Sequence, residues 1–469
     1  MSVRATAPSS TDAQLERAVR RAQRSGPCIV AVTQRLAATS DPSAIALRSR
    51  RPGEPWFCLE QPDLDRAAIA TLGCAVEIED RGPGRFERVS ARWRELAARA
   101  VCDPPDGPPG SGLIACGGFA FAERGGSSPP WASFPAASLI VPEVAIARRG
   151  EDVRLTLAAL VSAGDTVEEL VERLAQRLSE LDWAGTLPLL DPYPAARHRV
   201  AGAMAPEHYE SAVARAVERI RAGDLEKVVL AREVDVHAPV AHDPAAIFGV
   251  LREAFGACMV FAVGRGEASF LAASPELLVR RQGQRVSTLA LAGSARRSAD
   301  PAVDAHLGEQ LLQSAKDREE HAIVARRIAR SLRPHAVWVT AAPEPSLVSV
   351  ANIQHLATPV RAQLARPVSA VSLVGALHPT PAVGGEPREV AERLIPALEG
   401  LDRGWYSGPV GWTDTSEDGE FCVALRCALI EGRVARLYAG VGVVADSDPA
   451  QELEETELKL GALLPVLAG

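Results

Sequence analysis

Two short acidic runs carry the densest chemistry in this chain. In Lys316-Asp317-Arg318-Glu319-Glu320-His321, Asp317 and Glu320 stand three apart. In Gln451-Glu452-Leu453-Glu454-Glu455-Thr456-Glu457-Leu458-Lys459, Glu452 and Glu455 repeat that spacing. On a helix each pair shares a face, where like charges repel by roughly a few tenths of a kcal/mol. A divalent cation offsets that repulsion, and hard oxygen donors with retained waters suit Mg²⁺. The plainer alternative is a solvated charged face, with Glu455 pairing Lys459 one turn on.

Single residues beside apolar runs add acid, base and anion-binding chemistry. Lys227 opens Lys-Val-Val-Leu-Ala-Arg; desolvated there, a lysine can lose its proton and act as a base toward water, whereas at a strand end it reaches solvent. Glu276 follows the rigid Ser274-Pro275 turn, where burial would keep it protonated as a general acid and exposure would leave a solvated turn carboxylate. Arg426 lies in Phe421-Cys-Val-Ala-Leu-Arg-Cys-Ala-Leu. Alternation places it on one face with Cys422 and Ala424, leaving room for a carboxylate to be held bidentately, or for a structural ion pair. His378-Pro-Thr-Pro-Ala-Val-Gly-Gly385 precedes a helix with Pro387 near its start, so its N–H groups either hold an anion or simply end a Pro/Gly turn. Tyr438-Ala-Gly-Val-Gly442 is an apolar strand whose glycines let a ligand approach the backbone or mark bulges.

The elements that must position these residues follow from periodicity. Pro206–Ala222 reads as a helix, with Val213, Val217 and Ile220 at helical spacing. Lys227–Val236, Met259–Val263, Ser269–Ala272, Leu277–Arg281, Gly408–Trp412, Phe421–Ile430 and Ala435–Val444 read as strands. Val303–Leu332 reads as one long helix and Pro449–Leu467 as a closing one, and an ordered piece begins at Ala370–Leu373. Earlier, short strands at Gly117–Phe121 and Ser138–Val141 and a helix at Val167–Leu181 are expected. The Pro-rich stretch Pro188–Pro194 marks a boundary, giving a first part over 1–195 and a second over 196–469. Strands and helices mix without strict βαβ alternation, which predicts an α+β fold with antiparallel sheets and helices layered on them.

Composition removes whole classes of function. The 469 residues are 47% hydrophobic, enough for a large core, and carry a net charge of -8. That balance lacks the basic excess needed for a nucleic-acid backbone. No apolar run reaches membrane-spanning length, and the first residues have no secretory apolar segment, so a cytoplasmic protein is expected. The eight cysteines form no C-x-x-C pair, which argues against zinc and iron–sulfur sites. P-loop, Rossmann and G-x-S-x-G signatures are missing as well.

Taken in order, the motifs from Lys227 to Lys459 resemble those of the chorismate-utilising enzymes, which include isochorismate, salicylate, anthranilate and aminodeoxychorismate synthases. The resemblance rests on Lys316-Asp-Arg-Glu-Glu-His321, Gln354-His355-Leu356-Ala357-Thr358, the His378–Gly385 loop and Glu454-Glu-Thr-Glu-Leu-Lys459. It implies a large α+β chorismate-binding fold with two packed antiparallel β-rich sheets and helices outside, residues 1–195 being its more variable half. It also implies that Lys227 activates a water toward ring carbon C2 while Glu276 protonates the departing C4 hydroxyl. Glu320 and Glu455 would ligate Mg²⁺, with Asp317 and Glu452 holding its waters. Arg426, Tyr406 and the Gly440 backbone would take the enolpyruvyl carboxylate, while His355 lines the ring pocket and Lys459 supports the carboxylate end.

Within that family three positions discriminate. The ammonia-using members lack a lysine where Lys227 stands, so water is the expected nucleophile and no amidotransferase partner is needed. The Lys-Gly-Thr motif of aminodeoxychorismate synthases reads Ala292-Gly293-Ser294 here, which disfavours a covalent lysine route and places Gly293 and Ser294 as substrate contacts. Ala382 stands where the pyruvate-eliminating members carry threonine. The resemblance therefore implies isochorismate synthase, acting on chorismate and feeding menaquinone or siderophore synthesis, with a monomer as the default expectation. Salicylate synthase is the second choice, and a chorismate-binding module without catalysis the third.

Overall fold

The computed structural model describes residues 8–104, 106–191, 198–350 and 352–468. Two sheets, of 13 and 10 strands, face each other across the core. The larger runs from Arg199–Gly202 through Lys227–His237, Val434–Val443, Cys427–Glu431, Ala268–Ser274 and Met259–Arg265. It continues through Trp56–Gln61, Ala67–Leu72, Val144–Arg149, Asp152–Val161, Cys28–Arg35 and Val101–Cys102. The smaller runs from Ala336–Ala341 through Ile353–Leu364, Arg285–Arg296, Leu277–Gln282, Gly419–Val423 and Pro409–Asp414 to Ile114–Phe119, Ala137–Val141 and Val76–Asp80. Among the described residues the pairing is antiparallel, apart from the short parallel match of Val30 with Val101. The α+β expectation thus holds.

Both sheets are continuous across the two parts of the chain. Phe261 pairs with Leu59 in one sheet and Gly411 with Gly117 in the other. The expected boundary between 195 and 196 lies outside the described residues. Ala268–Ser274 and Met259–Arg265 are buried at every position. They read as unbroken apolar runs because one face meets the opposite sheet and the other lies under helices. Phe261, Phe270, Trp131, Phe134 and Trp405 fill the space between the sheets, while Phe248 and Leu251 of the Pro244–Ala254 helix cover the outer face. No helix among the described residues is long and apolar enough to cross a membrane. All eight cysteines are free, and six of them are buried.

Three expected elements divide, each for a local reason. Val303–Leu332 breaks at Ser314 into helices Pro301–Gln313 and Ala315–Leu332. There the Ser314 side chain caps the second helix by accepting from Asp317 N, and its hydroxyl donates to the Asp317 carboxylate. Phe421–Ile430 breaks after Val423 and resumes at Cys427 in the other sheet. The strand-face reading of Arg426 is corrected accordingly: it sits at φ +50°, in the crossover rather than in a strand. Pro449–Leu467 stops at Leu460 and restarts at Leu464, the second piece opening with Pro465 at a position a helix start tolerates.

Candidate active site

One cavity gathers most of the chemistry. Its wall includes Glu276, Gly293, Ser294, Glu320, His355, Ala382, Tyr406, Arg426, Gly440, Glu455 and Lys459. Lys227, Asp317 and Glu452 do not line it; Lys227 lies against Gly442 and Asp317 against Gly293 of the wall.

The cavity lies where the chain passes between the sheets. The Ala268–Ser274 strand belongs to the larger sheet and Leu277–Gln282 to the smaller, so Ser274-Pro275-Glu276 is one crossover. Ala424–Arg426 is another, and Ser407 leads into Pro409–Asp414 beside it. The crossovers are laced together: Ala273 N donates to Arg426 O at 3.0 Å, Ser407 N to Ala424 O at 2.8 Å and Val423 N to Glu276 O at 3.0 Å. Ser407 and Arg426 both adopt positive φ, +60° and +50°. Left-handed backbone at non-glycine residues costs energy and persists where the surroundings impose it. Here it turns Arg426 toward the cavity.

Glu276 is 2% exposed. Burial pushes its carboxyl up to about 8, and the charge of Lys227 restrains the rise. It is therefore largely protonated at neutral pH and able to donate, which excludes the solvated-turn alternative. Lys227 has no exposed surface, and its Nζ lies 2.8 Å from Glu320 Oε1. Thus Lys227 does not reach solvent. It sits one layer beneath the cavity floor at Gly442, where a Cβ would collide with the Glu320 carboxylate and approach Lys227 Cε at 2.7 Å. Gly440 and Gly442 lie in regular register opposite Ala231 and Val229, so they are not bulges. Their missing side chains make room for Tyr406, Glu320 and Lys227.

The Arg426 end of the cavity is built from neutral and cationic donors. Arg426 Nη2 donates to His355 Nε2 at 3.3 Å, and His355 Nδ1–H donates to Gly293 O at 3.1 Å. That pattern fixes a neutral imidazole, and burial, aided by the charges of Arg426 and Lys459, lowers His355 to about 3. Gly293 makes this possible by interrupting the strand register between Ala292 and Ser294 at φ +77°. Tyr406 is 2% exposed, and burial raises its hydroxyl to about 12, so it stays a donor. It stacks on Tyr438 with ring centroids 5.2 Å apart.

The acidic helices bring two carboxylates to the wall and keep two behind it. Glu455 pairs with Lys459 at 2.7 Å, and Lys459 also donates to Gly440 O at 2.9 Å. The one-turn ion pair expected of a plain helix is thus present, but it faces the cavity. Burial would raise Glu455, yet Lys459 and Ser294 hold it below the usual range. Glu452 is taken by Lys316 at 2.8 Å, and Asp317 by the Ser314 cap. Burial raises Asp317, and Glu320 and Glu455 add to the rise through like charge. Among the described residues no three His, Cys, Asp or Glu side chains close around a common point. Two wall carboxylates nevertheless fit Mg²⁺, which takes one or two carboxylates and fills the rest of its shell with waters and substrate oxygens.

The His378–Gly385 loop works differently from the anion site expected of it. Its glycines approach a neighbouring strand rather than a ligand. Gly385 and Glu386 pair with Val228 and Lys227, and a Cβ at Gly385 would collide with Lys227 O. Gly384 O accepts from Val229 N at 2.7 Å. The loop thereby fixes Lys227 from one side and presents Ala382 to the cavity. His378 is 1% exposed and donates to Phe121 O at 3.0 Å.

A buried ion pair escaped the reading of motifs. Arg403 and Glu399 meet at 2.5 Å, with side chains 2% and 1% exposed. Arg403 donates to Val383 O at 2.8 Å and Val229 O at 2.9 Å, and Glu399 accepts from Ala231 N at 2.7 Å. The pair braces the Lys227 strand against the Ala382 loop. Its sequence signal was only an acid and a base four apart, indistinguishable from a surface pair.

Comparison with known proteins agrees with this geometry. The chain matches the family described as "Chorismate binding enzyme" over residues 13–468. It is 39% identical over 415 residues to the salicylate biosynthesis isochorismate synthase of Pseudomonas aeruginosa, covering 88% of this chain and 85% of that one. It is 35% identical over 362 residues to isochorismate synthase MenF of Bacillus subtilis, covering 76% and 75%. The solved structure of MenF, the menaquinone-specific isochorismate synthase from Escherichia coli, superposes with a TM-score of 0.79 at 26% identity, over 97% of this chain and 99% of that one. With a match that spans nearly all its length and a cavity built from the motifs themselves, the chain belongs to the chorismate binding enzyme family.

Proposed function

We propose that this protein is a magnesium-dependent isochorismate synthase, converting chorismate to isochorismate by adding water at C2 and expelling the C4 hydroxyl. The observation that carries the reading is a buried acid, Glu276, in the cavity wall with a buried lysine, Lys227, beneath the cavity floor at Gly442. Glu276 is an acid that burial keeps protonated at neutral pH, and Lys227 is a buried lysine. Glu276 lines the cavity, and Lys227 reaches it through Glu320, with which it pairs at 2.8 Å.

The residues divide the work. Arg426, Tyr406 and the Gly440 backbone hold the enolpyruvyl carboxylate, with Arg426 oriented by neutral His355. Gly293 and Ser294 shape the ring pocket, and Lys459 keeps positive charge at the carboxylate end. Lys227 takes the proton of the attacking water, and Glu276 gives its proton to the leaving hydroxyl on the opposite face. Glu320 and Glu455 would hold Mg²⁺, and Asp317 and Glu452 its outer waters. When bound, the ion supplies charge neutralisation for the substrate's ring carboxylate.

Ala382, lacking the hydroxyl of the pyruvate-eliminating members, supports release of isochorismate itself. Lys227 supports water over ammonia, and with it action without an amidotransferase subunit. A cytoplasmic setting agrees with the eight free cysteines. Purified protein incubated with chorismate, with Mg²⁺ or with EDTA, tests the reading by chromatography of products. Isochorismate formed only with Mg²⁺ is the expected result. Salicylate with pyruvate would overturn the choice of product, and equal turnover in EDTA would overturn the metal.

A further inference from the structure

Of the 51 lysine and arginine side chains, only three are lysines: Lys227, Lys316 and Lys459. All three pair with acids of the candidate metal site. Lys227 meets Glu320 at 2.8 Å, Lys316 meets Glu452 at 2.8 Å and Lys459 meets Glu455 at 2.7 Å. The other ion pairs among the described residues use arginine, as in Arg177–Glu54 and Arg403–Glu399. The two cations hold a carboxylate differently. Arginine's planar fork grips both oxygens, whereas an ammonium is a compact point charge on a flexible stem. At one carboxylate a lysine can therefore give way to another small cation.

The three lysines are not equally free. Lys227 has no exposed surface. The Lys459 side chain is 11% exposed, and its ammonium also donates to Gly440 O at 2.9 Å. The Lys316 side chain is 35% exposed, and that of its partner Glu452 only 2%. Glu452 is its one hydrogen-bond partner among the described residues. From the helix Ala315–Leu332, Lys316 also lines an open cleft of about 400 Å³, together with the exposed Glu226, Glu319 and Asp446. Its ammonium thus stands between a buried carboxylate and an acidic opening that can receive it.

The charge of Lys316 reaches the whole acid cluster. Asp317, Glu320, Glu452 and Glu455 all interact with it electrostatically. The first two stand on its own helix and the other two on Pro449–Leu460. The reaction proposed above uses Lys227 and Lys459 but not Lys316. Like charges close together repel, so a metal ion and the Lys316 ammonium compete for the same acids.

We propose that Lys316 is the internal counter-ion of the metal site: it neutralises Glu452 until Mg²⁺ arrives, then yields that carboxylate to the ion's water shell and swings toward the cleft of Glu226, Glu319 and Asp446. Lys316 thereby sets how tightly the site takes metal, as a positioning residue rather than a catalytic one. This role rests on the magnesium reading above.

Calorimetric titration of the full chain with MgCl₂ tests that role. Lys316→Met and Lys316→Gln should each bind Mg²⁺ about tenfold tighter than the native chain, because a competing positive charge is gone. Lys316→Arg, which keeps the charge, should bind no tighter than native. In EDTA the two neutral variants should melt below the native chain, since Glu452 is left buried and unpaired. Adding MgCl₂ should then raise their melting temperature by more than it raises the native one. A crystal structure of the native chain grown with Mg²⁺ should show Lys316 Nζ beyond hydrogen-bond reach of Glu452. Equal or weaker Mg²⁺ binding in the neutral variants, tighter binding in Lys316→Arg, or the Lys316–Glu452 pair intact beside bound metal would each overturn the role of Lys316 alone. Absence of Mg²⁺ binding in native chain and variants alike would overturn the metal site itself.

Discussion

The first and second parts of this chain contribute to the same two sheets, yet only one supplies the chemistry. Every residue that lines the catalytic cavity falls between Val229 and Lys459. Residues before 192 add strands to both sheets and pack the shared core, as where Phe119 lies 4.6 Å from Phe86 and 6.3 Å from Phe421 by ring centroids. The difference teaches that the cavity depends on the first part for rigidity and on the second for reactive groups. Substitutions in the two parts should therefore fail in different ways.

The largest expected effect is at Lys227, the proposed base. Lys227→Ala should lower turnover about 10²–10⁴-fold while chorismate still binds in the presence of Mg²⁺, measured by single-turnover kinetics and calorimetry. Full activity in that variant would remove lysine from the mechanism. Glu276→Gln should follow with a loss of roughly 10²-fold or more. In the native protein, kcat should fall as pH rises through about 8, where Glu276 loses its proton. The same group links to stability. Its folded pKa lies above the unfolded value of about 4.3, so the stability it confers is complete below that pH and is lost as pH rises toward about 8. The melting temperature of Glu276→Gln relative to the native chain should thus climb over that window and flatten above it.

In the first part, Phe119→Ala should cost about 3–5 kcal/mol in denaturant unfolding, while KM of the folded fraction stays within about twofold. A large KM change with stability intact would break the division between the two parts. Ala382→Thr should leave isochorismate as the main product but add pyruvate, detectable by a coupled dehydrogenase assay. The smallest effect belongs to the surface: Arg20→Ala, which removes a pair with Glu16 whose partners are more than half exposed, should shift stability by under about 0.5 kcal/mol.

Some elements leave a local trace in the sequence and others do not. Strands such as Lys227–His237 and Val434–Val443 were found to within a residue because apolar β-rich runs bounded by polar turns leave a local trace. The helix break at Ser314 was missed because apolar periodicity continues across it, and only the cap shows where one helix ends. The strand break before Arg426 was missed because a residue driven to positive φ by its surroundings has no signature in its own identity. Spacing on a helix placed Glu452 and Glu455 on one face but could not show that Lys316 draws the first away from the cavity.

The sequence by itself determined which candidate groups the chain carries and their order, because motif spacing on regular elements is a local property. It also determined the α+β class, through apolar runs of two periods. Only the tertiary structure decided which groups meet. Burial raises Glu276 and lowers His355, and the chain crossings between sheets aim Arg426 at the cavity. The buried Glu399–Arg403 brace draws together groups from separate elements. Desolvation and long-range contact depend on residues far apart in the chain, and no local pattern encodes them.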